Sequence, residues 1–182
     1  MSATPQRARL RVETQFAARR PWVPAAAAVR RWASAAHGAA LARGGPTRRA
    51  QPAGRAGHDP ATPTVCIRVV GASASRRLNR EYRGKDTPTN VLSFPASATE
   101  RALAGSIGDL AICATVVAAE ARAQRKPPAA HWAHMVVHGL LHLHGFDHET
   151  PRQAQAMEGL EVEILRGFGY QNPYRPVILH DT

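Results

Sequence analysis

A run of histidines near the C-terminal end constrains this chain most: His138-Gly139-Leu140-Leu141-His142-Leu143-His144-Gly145-Phe146-Asp147-His148. Residues four apart share one face of an α-helix, with β-carbons roughly 6 Å from each other. Two imidazoles so placed can reach one ion at Zn–N distances of about 2.0–2.1 Å. Gly145 offers the left-handed conformation that ends a helix and turns the chain back, which brings His148 round as a third ligand. Three protein nitrogens leave a fourth position open, as in a catalytic rather than a structural zinc site. His144 falls about 200° round the helix from His142 and faces elsewhere. His134, one turn before His138, stands either behind the ligands or on the wall of a cleft. The chain holds nine histidines, so one i,i+4 pair would carry little weight. The third histidine beyond the helix-ending glycine makes the pattern informative.

A length of 182 residues fits one domain over 1–182. Cys66 and Cys113 are too few and too far apart for a disulfide framework, and reduced thiols suit a cytoplasmic protein. No apolar run approaches the ~20 residues of a membrane span. Residues 1–58 hold eleven arginines against Glu13, so nearly all of the net charge of +11 lies in the first third. Such a segment binds a polyanion through phosphate contacts, or is a solvated arm. Its composition also resembles a transit peptide, but its first elements read as part of the fold.

Arg9 to Gln15 alternates like a half-buried strand. A helix is expected from about Pro24 to Ala36, with Val29, Trp32 and Ala36 inward and Arg30 and Arg31 outward. Residues 37–63, dominated by Gly, Pro, Ala and Arg, form a linker or surface loop insertion. Thr64–Val70 is a strand, and a helix capped by Ser73 runs to Arg83 with Leu78 and Tyr82 as its apolar contact. Asn90–Phe94 is a strand, 95–106 a loop, and Asp109–Ile112 a further short strand. Helices are expected over 114–124, 129–144 and 152–168. Gly139 costs ~1 kcal/mol of helix propensity, which close approach to a sheet would offset. In the last helix Met157, Leu160, Ile164 and Phe168 face inward, with Glu158, Glu161 and Glu163 outside. Interleaved strands and helices give an α+β (α/β) class with a small sheet.

A three-histidine zinc site can hydrolyse amides or phosphodiesters. The spacing matches the long metzincin protease motif except at Gly139, where those proteases carry a general-base glutamate. A peptidase would need another base, with Asp147 or Glu149 as weak candidates. A phosphodiester instead calls for a cation that grips phosphate, and the planar fork of arginine suits this. Arg83 ends a basic stripe with Arg76 and Arg80, and Lys85 follows in the next turn. A metalloprotease and an assembly module with structural zinc stand as alternatives.

Residues Leu78-Asn79-Arg80-Glu81-Tyr82-Arg83-Gly84-Lys85-Asp86-Thr87-Pro88-Thr89-Asn90-Val91-Leu92-Ser93-Phe94-Pro95 resemble the hallmark segment of the YbeY family of bacterial endoribonucleases. Gly108-Asp109-Leu110, the run from His131 through the histidine motif, and Gly169-Tyr170-Gln171-Asn172-Pro173-Tyr174 are similar too, so the matching motifs span 64–174. The resemblance implies a small mixed β-sheet with helices packed on it and a metal site in a cleft at the end of a core helix. The activity it implies is that of a metal-dependent endoribonuclease specific for single strands, acting in rRNA maturation at the 3′ end of 16S rRNA and in ribosome quality control. It implies one zinc, or another divalent ion, on His138, His142 and His148, with Arg83 and His138 catalytic. Arg76, Arg80 and Lys85 are candidates to bind the RNA. The small ribosomal subunit and the Era GTPase are the implied partners. Phe146 stands where the family has tyrosine, and Thr87 where lysine is common.

Overall fold

Residues 9–44 and 62–175 are described by a computed structural model. Four strands form one mixed sheet in the order β1-β2-β4-β3. They are β1 (Arg11–Phe16), β2 (Thr64–Val70), β3 (Val91–Pro95) and β4 (Ser106–Cys113). The first three in sheet order are parallel, and β3 runs antiparallel along β4. Central β2 buries Val65, Ile67, Val69 and Val70, as β-branched residues do on a covered pleated surface. Six helices surround the sheet: α1 (Ala26–Ala42), α2 (Ala72–Arg83), α3 (Ala98–Ala104), α4 (Ala114–Ala123), α5 (Pro128–Leu143) and α6 (Pro151–Gly167). The α+β expectation holds.

Helix α5 is the axis of the structure. It touches α1, α4 and α6 as well as β3 and β4. Between His131 and His144, only His138 and His142 are not fully buried. A helix apolar on nearly all sides is a buried one. Gly139 allows the close approach: a β-carbon there would lie 2.9 Å from both Leu110 methyls and 3.2 Å from Val91 Cγ2. Gly139→Val should therefore lower the urea unfolding free energy by about 1–3 kcal/mol, the usual cost of overpacking a filled core.

Several local expectations need correction. Helix α1 continues six residues past Ala36 to Ala42, because Ala40 and His37 extend its buried stripe. The rest of the expected linker, at 45–61, lies outside the described residues. Gly71 rather than Ser73 stands at the start of α2, with no side-chain cap. The inner face of α2 is polar, formed by Ser75 and Asn79, while Tyr82 is 61% exposed and meets Phe94 edge to face. The supposed loop at 95–106 contains α3, started by a Ser97/Glu100 capping box, the reciprocal pairing that satisfies two orphan amides.

His37 of α1 and His144 form a buried pair, Nδ1 to Nε2 at 3.0 Å. Burial, together with the His37 and Arg101 charges, pushes the His144 pKa from 6.5 down to about 4, and burial lowers that of His37. Between these values the unfolded chain binds protons that the folded chain refuses, so stability falls as pH drops from about 6.5 toward 4. At about pH 5 the loss from His144 alone is about 2 kcal/mol relative to neutral pH. Urea midpoints of metal-free protein should show it, and His144→Gln should flatten the slope.

Candidate active site

Four chain segments bring the site residues together. Helix α5 supplies His138 and His142 from consecutive turns. Gly145, at φ 81°, then reverses the chain. The Gly145 amide donates to the His142 carbonyl and the Phe146 amide to that of Leu141, which closes the helix end. The turn so made carries Asp147, His148 and Glu149. Opposite stands the C-terminus of α2, stopped directly after Arg83 by Gly84 at φ 68°. Strand β3 contributes Val91 and Ser93. Arg83, Val91, Ser93, His138, His142, Asp147, His148 and Glu149 line one open cavity of about 380 Å³ together with Thr89 and Asn90.

The wall at 85–90 is held by the polar face of α2. Ser75 Oγ donates to the Thr89 carbonyl at 2.8 Å and accepts from the Thr89 amide at 3.0 Å. Asn79 Nδ2 donates to the Thr87 carbonyl at 2.7 Å. Arg76 grips Asp86 with two bonds, at 2.9 and 2.6 Å, and this holds the Asp86 carboxyl below its ordinary range. Arg80 lies 3.8 Å from the same carboxylate. Arg76, Arg80 and Lys85 do not line the cavity; the first two face Asp86.

The three histidines converge. One ring nitrogen from each of His138, His142 and His148 lies within 4.8 Å of the other two. Nε2 of His138 and Nε2 of His142 are 3.1 Å apart, close to the roughly 3.3 Å that two nitrogens of a tetrahedral zinc would keep. Burial first, and then the charges of His138 and His148, press the His142 pKa down to about 4. His142 is thus a neutral ring with a free lone pair at pH 7, as a ligand must be. The donor set fits a divalent transition metal.

Behind these rings lies a residue that the helical pattern misassigned. Glu161 of α6 is fully buried, at 0% exposure, and not on the outer face. Its Oε1 accepts from His138 Nδ1 at 2.8 Å, and its Oε2 accepts from His134 Nε2 at 3.0 Å and from the Tyr174 hydroxyl. Burial raises its pKa, but the bonds and charges of His134 and His138 outweigh that and hold it at about 2. A carboxylate on Nδ1 fixes the proton there and leaves Nε2 to face an ion. The signal was present: Met157, Leu160, Glu161, Ile164 and Leu165 follow i, i+3, i+4, i+7, i+8 and are all buried. His134 therefore stands behind the three converging rings, on the far oxygen of Glu161, and His144 faces away toward His37.

Residues 52–169 match the family model described as Endoribonuclease YbeY. A protein named endoribonuclease YbeY from Alkalilimnicola ehrlichii is 50% identical over 170 residues, covering 91% of this chain and 92% of that one. Its namesake from Methylococcus capsulatus is 55% identical over 113 residues, 62% of this chain and 75% of its own. The solution structure of TM1509 from Thermotoga maritima matches the fold, with a TM-score of 0.50 at 19% identity over 91% of this chain and 99% of that one. With its histidine motif, its Arg83 segment and these relatives, the chain belongs to the endoribonuclease YbeY family.

Proposed function

We propose that the chain is a single-strand-specific, metal-dependent endoribonuclease, with one divalent ion, zinc, held by His138, His142 and His148. The observation that carries the reading is the meeting of three histidine nitrogens and Arg83 in one open cleft. A protease is disfavoured by position 139, where a side chain would run into Leu110 and Val91 instead of reaching the cleft as a base.

A divalent ion, when bound, supplies a Lewis acid and a nucleophile of lowered pKa at neutral pH. The chain's own groups do the rest. Glu161 Oε1 keeps the proton of His138 on Nδ1. The Arg83 guanidinium offers a fork to two phosphate oxygens and balances the charge that grows on them. Asp147 and Glu149 are carboxylates in the same cavity, placed to hold a proton as the phosphodiester is cut. Arg76, Arg80 and Lys85 would serve only the approach of the strand. Single strands are favoured because they can be splayed into a cleft, while an A-form duplex holds its backbone rigid.

The family resemblance supports rRNA as the target, notably the 3′ end of 16S rRNA, in maturation and quality control on the small ribosomal subunit. It also supports the Era GTPase as a partner and the cytoplasm as the compartment. Among the described residues no helix is long and apolar enough to cross a membrane.

Mapping of rRNA ends and cleavage of a labelled single strand test the reading. Arg83→Ala should slow cleavage about a hundredfold, as loss of one preorganised donor does, with metal content unchanged. Peptide cleavage that a chelator stops and Arg83→Ala leaves intact would instead establish the protease. Metal removal that unfolds a protein without turnover would establish a structural ion.

A further inference from the structure

A second cavity, of about 360 Å³, opens on the far side of Glu161. Its wall includes His134, while the first cavity is lined by His138, and both rings bond the same carboxylate. Tyr170, Leu165 and Pro173 give it an apolar interior, and Arg125, Lys126 and Arg175 give it cations, with no carboxylate in the lining.

Two further features point to an occupant. Arg125 has φ 53°, alone among the described non-glycine residues in being positive. It follows α4, where the Lys126 amide donates back to the Ala121 carbonyl, a helix end that glycine ordinarily makes. An arginine there costs about 1–2 kcal/mol of backbone strain, and strain of this kind collects at ligand sites. The second feature is the pair His131 and His134, at 3% and 9% exposure. Each gives its Nε2 proton to a carboxylate, Glu120 and Glu161 respectively, which leaves Nδ1 as an acceptor. Neither Nδ1 has a hydrogen-bond partner among the described residues.

We propose that this cavity is a nucleotide subsite, which takes one unstacked base of an RNA strand against Tyr170 and its phosphate on Arg125, Lys126 and Arg175. The volume suits a small ligand. Unpaired bases are read by stacking on aromatic rings and guanidinium planes. The subsite rests on RNA being the substrate, and it places a second grip on the strand beyond the cleft.

Adenosine 5′-monophosphate tests it without turnover. Titrated into the full chain and followed by amide NMR, it should shift Gly169, Tyr170 and Asn172 saturably. Arg125→Asp should weaken binding at least about fivefold, the loss of one charged contact. Asp and Gly both accept positive φ, so Arg125→Asp and Arg125→Gly should fold with an unchanged or higher Tm. Arg83→Ala should leave the affinity unchanged. Shifts confined to the 83–93 wall, or an affinity indifferent to Arg125→Asp, would overturn the subsite. Inorganic phosphate binding as tightly as the nucleotide would reduce it to an anion site and overturn the assignment. A chain that cuts RNA but shows no shift at Tyr170 overturns the subsite alone. One that binds nucleotide at Tyr170 yet cuts no RNA overturns the nuclease reading and, with it, the cavity's role as a grip on the substrate strand.

Discussion

His142→Ala should lower single-strand RNA cleavage by at least about a thousandfold, because an ion's stabilisation of transition-state charge is worth several kcal/mol and each tenfold is about 1.4 kcal/mol. Two ligands remain in this variant, too few to hold the ion against solvent at working concentrations. The fold should survive. His142 is half-buried at the cleft, and its ring nitrogen faces His138 Nε2, so truncation leaves no buried donor without an acceptor. With its pKa pressed down to about 4 the ring is uncharged at neutral pH, so its loss leaves no buried charge without a partner. The circular dichroism spectrum and urea midpoint of metal-free protein should stay close to wild type, while bound zinc per chain falls. A purified variant that keeps its activity, with contaminating nuclease excluded, would sink the metal-site assignment.

The parts of this site that could be read in the sequence are those set by local geometry. Strand β2 occupies the expected residues, α5 begins and ends within one residue of the expected bounds, and Gly145 adopts the left-handed conformation assigned to it. All three depend on spacing and backbone sterics within a few residues. Helix α3 was equally legible, since Ser97-Ala98-Thr99-Glu100 is a capping box, but its lack of any buried residue removed the periodic signal. What spacing could not supply were partners distant in the chain: His37 with His144, His131 with Glu120, and His138 with Glu161. A glutamate on a helix reads as solvated because charge is rarely buried unpaired. Glu161 breaks that rule only because another helix brings two imidazole donors to it.

Glu161→Ala is accordingly expected to damage both the fold and the ion's affinity, in contrast to His142→Ala. The carboxylate accepts from His134, His138 and Tyr174 at a point closed to solvent. Its loss strands those donors, at about 1–3 kcal/mol for each group left unsatisfied. Relaxation and water entry into the cavity recover part of this, so a net destabilisation of roughly 3–5 kcal/mol is expected, the range for breaking one side of a buried ionic contact. Urea unfolding of metal-free protein should register it. Glu161→Gln keeps one oxygen acceptor but turns an amide N–H toward the other imidazole, so it should fall between wild type and Glu161→Ala. Zinc affinity, measured by competition with a chromophoric chelator, should drop about 10- to 100-fold in the glutamine variant, the usual cost of losing a partner that orients a ligand. The tautomer provides a readout that a purely structural role would not move. In wild type the 15N shifts of His138 should report a proton on Nδ1, and in Glu161→Gln a mixture of the two tautomers. Zinc affinity equal to wild type with the His138 proton still on Nδ1 would show that Glu161 braces the core without setting the ligand.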